Sequence, residues 1–240
     1  MPYRRLPNTD VARLKALKIA FIKGKENPPF KLAFTQPTLQ RLLSFLPRFE
    51  KAIVEYKQAY SIQIKKNNDY QEDLRRAKLY ISHFIQVMNM AIQRGDLTES
   101  VKEFYDLDPN NKRTPRLSTE KDILTWGEKL IQGEQERTMK GQALITNPTI
   151  ALVRVRYEKF VESFHYQKTL QKNVQRTLNN LSEIRSEGDD IISCIWNEVE
   201  EHYKNLPDDQ KRNHARIYGV VYVYRKNELK SISSRERSVV

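Results

Sequence analysis

One heptad phase runs without interruption from residue 39 to residue 91. Steps of three and four reach Leu39, Leu42, Leu46, Phe49, Ile53, Tyr56, Tyr60, Gln63, Asn67, Tyr70, Leu74, Ala77, Ile81, Phe84, Met88 and Ala91. Of these sixteen positions only Gln63 and Asn67 are plainly polar. A spacing averaging about 3.5 residues keeps such side chains on one stripe of a helix, so the run predicts a long amphipathic helix with a coiled-coil-like seam. The same phase returns 111 positions later, from Ile150 and Val153 through Phe160, Gln167, Gln171, Leu181, Arg185 and Ile192 to Val199 and His202.

Two copies of one apolar stripe read as an internal duplication. The expected class is therefore all-α: an internally duplicated helical bundle of long heptad-patterned helices, with a small β element at the C-terminus. The expected division is a first helical repeat at 1–107, a linker at 108–116, a second helical repeat at 117–224 and a flexible basic tail at 225–240. The linker is read from its proline, asparagine and charge content. Seven glycines in 240 residues fit few tight turns and hence few, long elements.

The pattern leaves open whether each long run is one helix or a hairpin. The polar stretch at 65–69, with Asn179 and Asn180 at the matching place, is the one plausible corner. A hairpin would shift the heptad phase, and neither corner holds Gly or Pro, which favours one helix of roughly 55 residues, near 80 Å at about 1.5 Å per residue.

Shorter elements follow from punctuation. The triplet Asn8, Thr9 and Asp10 predicts a helix start, its polar oxygens able to cap the first free amides, with Val11, Leu14, Leu17 and Phe21 on one face and an end near Gly24. The stretch 25–36, with Pro28, Pro29 and alternating apolar residues, predicts an extended connector able to form a strand. Pro37 suits the first turn of the long helix, whereas Pro47 predicts a kink or a later start. Gly95 should close that helix, followed by a short one over 98–105. Thr119 with Asp122 predicts a capping box. Pro207 should stop the second long helix, and Tyr222, Val223 and Tyr224, after Gly219, read as a strand.

Several segments carry a resemblance: YISHFIQV at 80–87 with NMAI at 89–92 and RG at 94–95, LST at 117–119 leading to WG at 126–127, IWNEV at 195–199, and YGVVYVYR at 218–225. With the duplicated layout, they resemble an uncharacterised family of bacterial, duplicated all-helical proteins. The resemblance implies a helical fold. It implies no activity and carries over no catalytic or ligand residue.

Few function classes have a foothold. No Gly-x-x-x-x-Gly-Lys or Gly-x-Gly-x-x-Gly run is present, which argues against a nucleotide enzyme. His83, His165, His202 and His214 form no spaced pair that would put two metal ligands on one helix face, so no metal, cofactor or catalytic residue is expected. Cys194, the single cysteine, occupies the place of His83 in the other repeat and is read as a packing residue; it also suits a reducing compartment. The cluster Glu198, Glu200 and Glu201 reads as a solvated acidic face. No apolar run approaches the about 18 residues a membrane span needs. No apolar segment follows the basic start, so no secretory signal is expected. The cytoplasm is the expected location, without a membrane partner.

Forty-two Lys and Arg against thirty Asp and Glu leave a formal charge of +12. Such an excess permits nucleic-acid contact. The candidate contacts are Arg4, Arg5, Lys112, Arg113, Arg116, Arg225 and Lys226, although acids interleaved on the long helices break any single basic stripe. Tyr222, Val223 and Tyr224 are the candidate partner strand, able to add to another protein's sheet. The polar seam residues Gln63, Asn67, Gln167, Gln171 and Arg185 are expected to fix register at a cost in stability. The favoured function is a non-catalytic scaffold or protein–protein interaction module whose partner is a protein, including a second copy of itself. A non-specific nucleic-acid binder is the alternative.

Overall fold

The structure, a computed structural model, describes residues 2–109, 111 and 113–224 of the 240. Among the described residues there are five α-helices and one two-stranded sheet. In chain order they are β1 (Tyr3–Arg4), α1 (Asp10–Glu26), α2 (Gln36–Gln93), α3 (Glu120–Met139), α4 (Ile150–His202), α5 (Asp208–Ile217) and β2 (Tyr222–Val223). Two 3-10 stretches, Pro29–Lys31 and Glu99–Tyr105, lie between helices.

The long helices are unbroken, with 58 residues in α2 and 53 in α4. The hairpin alternative is thereby set aside. Helix α2 also continues through Pro47, which withholds one amide from the backbone ladder without ending the helix. The predicted caps form: the Thr9 hydroxyl accepts from the Ala12 amide at 3.2 Å. Thr119 and Asp122 make a reciprocal box, with Asp122 N–H to Thr119 Oγ1 at 3.1 Å and Thr119 N–H to Asp122 Oδ2 at 2.9 Å. Gly95, at φ 82°, lets the Asp96 amide reach back to the Ala91 carbonyl at 2.9 Å, so α2 ends where glycine permits a left-handed residue.

The chain forms two compact units, each drawing on both long helices. Of the described residues, the first comprises 2–59 and 174–224, the second those between 60 and 173. In the first unit the start of α2 runs antiparallel to the end of α4, as the Thr38–Glu198 and Arg48–Glu187 contacts record. Leu42, Phe45 and Phe49 pack with Ile192, Ile195, Trp196 and Val199, and Leu17 and Ala20 of α1 close the core. Each of the leucines, isoleucines, phenylalanines and Val199 contributes roughly 1.5–3 kcal/mol by leaving water. Two bidentate pairs tie α1 to α4: Arg13 to Asp189, both bonds 2.8 Å, and Arg185 to Asp10, both 2.7 Å.

In the second unit the end of α2 packs antiparallel to the start of α4 and against α3. Ile81, Phe84, Met88, Leu130, Val153 and Phe160 are buried there. Gly133 of α3 sits where an added Cβ would meet the Phe104 carbonyl, so the 3-10 stretch Glu99–Tyr105 lies directly on the helix. Beside it is a buried ionic group. Arg137 donates to Glu134 from Nε at 2.7 Å and Nη2 at 2.6 Å, to the Tyr105 hydroxyl at 3.1 Å and to the Ala143 carbonyl at 2.6 Å. Tyr105 in turn donates to Glu134. Lys102, also buried, holds the Pro109 and Asn111 carbonyls at 2.9 and 3.0 Å.

Four expectations need correction. The connector forms no strand; Pro29–Lys31 is a 3-10 turn, and β2 pairs instead with β1. The 98–105 helix is likewise 3-10. Val11 is not on the packed face of α1: it is 72% exposed, because Ala20, at the centre of that face, lies nine residues on and about 180° round at about 100° per residue. Gln171 is exposed and no seam residue, whereas Gln167, 5% exposed, is buried and donates to Asn67 at 3.3 Å. Helix α5 was not anticipated at all; Pro207 stops α4's extension and opens it.

Candidate functional site

The concavity of most interest lies in the first unit, between α1 and the β pair. Strand β1 runs antiparallel to β2 with Tyr3 opposite Val223 and Arg4 opposite Tyr222, and the Arg5 amide donates to the Val221 carbonyl at 2.9 Å. Side chains alternate across such a pair. Arg4 and Tyr222 turn onto α4. Arg4 Nη1 reaches Asn197 Oδ1 at 2.6 Å and Glu200 Oε2 at 3.2 Å, and the Tyr222 hydroxyl donates to Glu200 Oε1 at 2.5 Å. Burial and the Glu200 carboxylate push the Tyr222 phenol above its ordinary range.

That inward pair leaves Arg5, Val221 and Val223 along the groove. The opposite wall is one face of α1: Ala12, Lys15, Ala16 and Ile19, at i, i+3, i+4 and i+7. Two alanines on that face make room. Gly219, at φ 88°, turns the chain back against α1, and a Cβ there would already touch Ile19 at 3.4 Å. The groove has a volume of about 590 Å³, within the size range of ordinary binding clefts. Its floor is aliphatic, and its cations are Arg5, Lys15 and Arg216, with no carboxylate in the lining.

The other concavities mix charges. In the second unit a groove of about 510 Å³ sets Lys66, Arg76 and Lys159 among acids, and these are already coupled: Lys66 to Asp69, Arg76 to Glu72, Lys159 to Asp73. Asp73, buried, also accepts from Ser163 at 2.6 Å. Elsewhere in the first unit, Glu198 gathers the Thr35 amide at 2.7 Å, the Thr38 hydroxyl at 2.7 Å and the Cys194 thiol at 3.3 Å. Partial burial pushes its carboxyl up, but these donors outweigh it and hold the group below the ordinary carboxylate range. Among the described residues no group of three or more His, Cys, Asp and Glu is arranged to hold a metal ion. Nor is any helix of those residues long and apolar enough to cross a membrane.

The residues singled out from the sequence fall in different places. Arg5 and the strand residues Tyr222 and Val223 meet at the groove; Arg4 is engaged by α4, and Tyr224 follows β2 half-buried. Arg113 and Arg116 belong to the second unit, where the Arg113 amide donates to Asn111 Oδ1 at 2.9 Å. Lys112, Arg225, Lys226 and the tail lie outside the described residues. Lys15, Arg216 and the small-residue face of α1 escaped the sequence reading. The spacing of Ala12, Ala16 and Ile19 was a usable signal; for Arg216, on a helix not anticipated, there was none.

The chain matches no family model, and neither a curated protein nor a solved structure is significantly similar to it.

Proposed function

We propose that this chain is a non-catalytic protein–protein interaction module and that the groove between α1 and the β1–β2 pair is its binding surface. The observation carrying the reading is the groove itself: a largely apolar lining built on one face of α1 and bordered by a short strand pair, with three exposed cations and no carboxylate. Interfaces favour this combination of apolar centre and charged edge. The alternative, a nucleic-acid surface, draws less support. Arg4 is already held by Asn197 and Glu200, and Arg113 and Arg116 are not in the unit that holds Arg5.

The internal duplication belongs to the same proposal. Positions 111 apart are buried alike: Leu42 and Val153, Phe49 and Phe160, Ile81 and Ile192, Met88 and Val199. Such a module would be a doubled helical frame, with the groove added where β1 pairs with β2 beside α1.

The test is a partner captured by crosslinking in the native host, purified, and titrated against the full chain and against Ala12→Leu, which fills the groove. At least tenfold weaker binding by the variant, with an unchanged circular dichroism spectrum, supports the reading. Binding indifferent to the filled groove, or retention of nucleic acid alone, overturns it.

A further inference from the structure

The groove's charge points to the chemistry of its occupant. Its rim carries Arg5, Lys15 and Arg216, all exposed. Among the described residues, neither the Arg5 nor the Lys15 side chain has an ion-pair partner, and Arg216 reaches only the Asn213 amide oxygen at 3.5 Å. Other cations pair in some places, Lys23 with Glu26, Arg75 and Arg76 with Glu72, Lys204 with Glu201, Arg212 with Asp209, while Arg41, Lys57 and Lys78 form no ion pair among the described residues. What sets the rim apart is three such cations gathered round one lining that holds no carboxylate. Three unpaired cations around one aliphatic floor favour a ligand that is negative at its edges and apolar in its middle.

We infer that the occupant is an acidic, aliphatic peptide segment of a partner protein, with apolar side chains on the Ala12, Ala16 and Ile19 face and carboxylates against Arg5, Lys15 and Arg216. This rests on the reading of the groove as a protein-binding surface. Nucleic acid fits less well: sequence-tolerant binding to bases needs exposed rings for stacking, and the two rings in the lining are Trp196, 1% exposed beneath it, and Tyr222, half-buried with its hydroxyl held by Glu200. The chain's own continuation past Tyr224 is the wrong sign. Residues 225–240 hold five Lys and Arg against two Glu.

A random dodecapeptide library displayed on phage and panned on the full-length chain tests this. The enriched sequences should combine two or more Asp or Glu with aliphatic residues, and one of them, synthesised with a fluorophore, should bind saturably. The triple charge reversal Arg5→Glu, Lys15→Glu and Arg216→Glu should weaken it at least tenfold, and added salt should weaken it for the original chain. Ala12→Leu should weaken it at least fivefold with every charge intact, which diffuse electrostatic attraction would not produce.

An enriched consensus that is neutral or basic yet still lost in Ala12→Leu overturns this inference and leaves the groove a binding surface. No consensus, together with mixed-sequence DNA bound and lost on charge reversal, overturns both. Salt-sensitive self-association abolished by the reversal, without any peptide consensus, overturns it in favour of a second copy.

Discussion

Arg137 offers the sharpest test of how the second unit is held together. Its guanidinium is fully buried, and so is Glu134, which takes two of its hydrogen bonds. Replacing Arg137 with Met leaves the Glu134 carboxylate in a dry site with only the Tyr105 hydroxyl as donor. Breaking one side of a buried pair costs about 3–5 kcal/mol, while the Ala143 carbonyl, on an exposed residue, turns to water. The double variant Glu134→Leu, Arg137→Met removes both charges. Exchange of a buried pair for apolar residues is often neutral or favourable, so what remains is the orphaned Tyr105 hydroxyl, about 1–3 kcal/mol.

The double variant should thus be more stable than Arg137→Met alone by about 2 kcal/mol. Urea unfolding followed by far-UV circular dichroism reads this as a midpoint recovering by about 1 M, given a slope of roughly 2 kcal/mol/M. If the double variant is no more stable than the single, the charge on Glu134 is not what makes Arg137 necessary. Shape alone would then explain the loss.

Four further outcomes are expected. Gly133→Ala should destabilise the second unit by about 1–3 kcal/mol, because the new Cβ meets a backbone carbonyl that cannot move aside. Gly188→Ala, whose Cβ meets the Phe45 ring at 3.1 Å, should stay within about 1 kcal/mol of neutral, since helix propensity offsets a small ring shift; thermal melts compare the two. Glu198→Gln should cost stability at neutral pH, and the cost should shrink as acid is added. A carboxyl held below its ordinary value stabilises the fold above about pH 4.3 and loses that contribution as pH falls through the depressed value, so matched melts over pH decide it. Gln167→Leu should raise stability by about 1 kcal/mol, because the Gln167 carbonyl oxygen is buried with no partner among the described residues; a lower melting temperature would contradict this.

How much of this was readable in advance depended on the reach of each signal. The long helices were, because a heptad phase sums many weak preferences over fifty residues and no local accident outweighs it. The caps at Thr9 and Thr119 were, since each is decided within four residues. The 3-10 turn at Pro29–Lys31 was not, because alternation over five residues is shared by strands and tight turns, and only Glu198, some 160 positions away, holds the Thr35 amide that fixes the connector's end. Val11 failed for a related reason: a helix of 17 residues offers too few turns for one misplaced apolar residue to be recognised from spacing alone.

The groove was harder still, since concavity is a property of surfaces that meet. Arg5 and Val221 are adjacent only because Arg5 donates its amide to the Val221 carbonyl, and nothing near either residue in the chain announces the other. The formal charge of +12 was equally blind to place. A basic excess is a sum over all side chains, whereas recognition depends on the cations left over after local pairing. On α2 part of the positive charge is absorbed, with Lys51 beside Glu55, Lys66 beside Asp69, and Arg75 and Arg76 on Glu72, while Arg41, Lys57, Lys65 and Lys78 form no ion pair among the described residues. Pairing between neighbours three or four apart can be read from a sequence. What a sequence conceals is that Arg5, Lys15 and Arg216, separated by as many as 211 positions, are carried to one rim without a carboxylate to meet them.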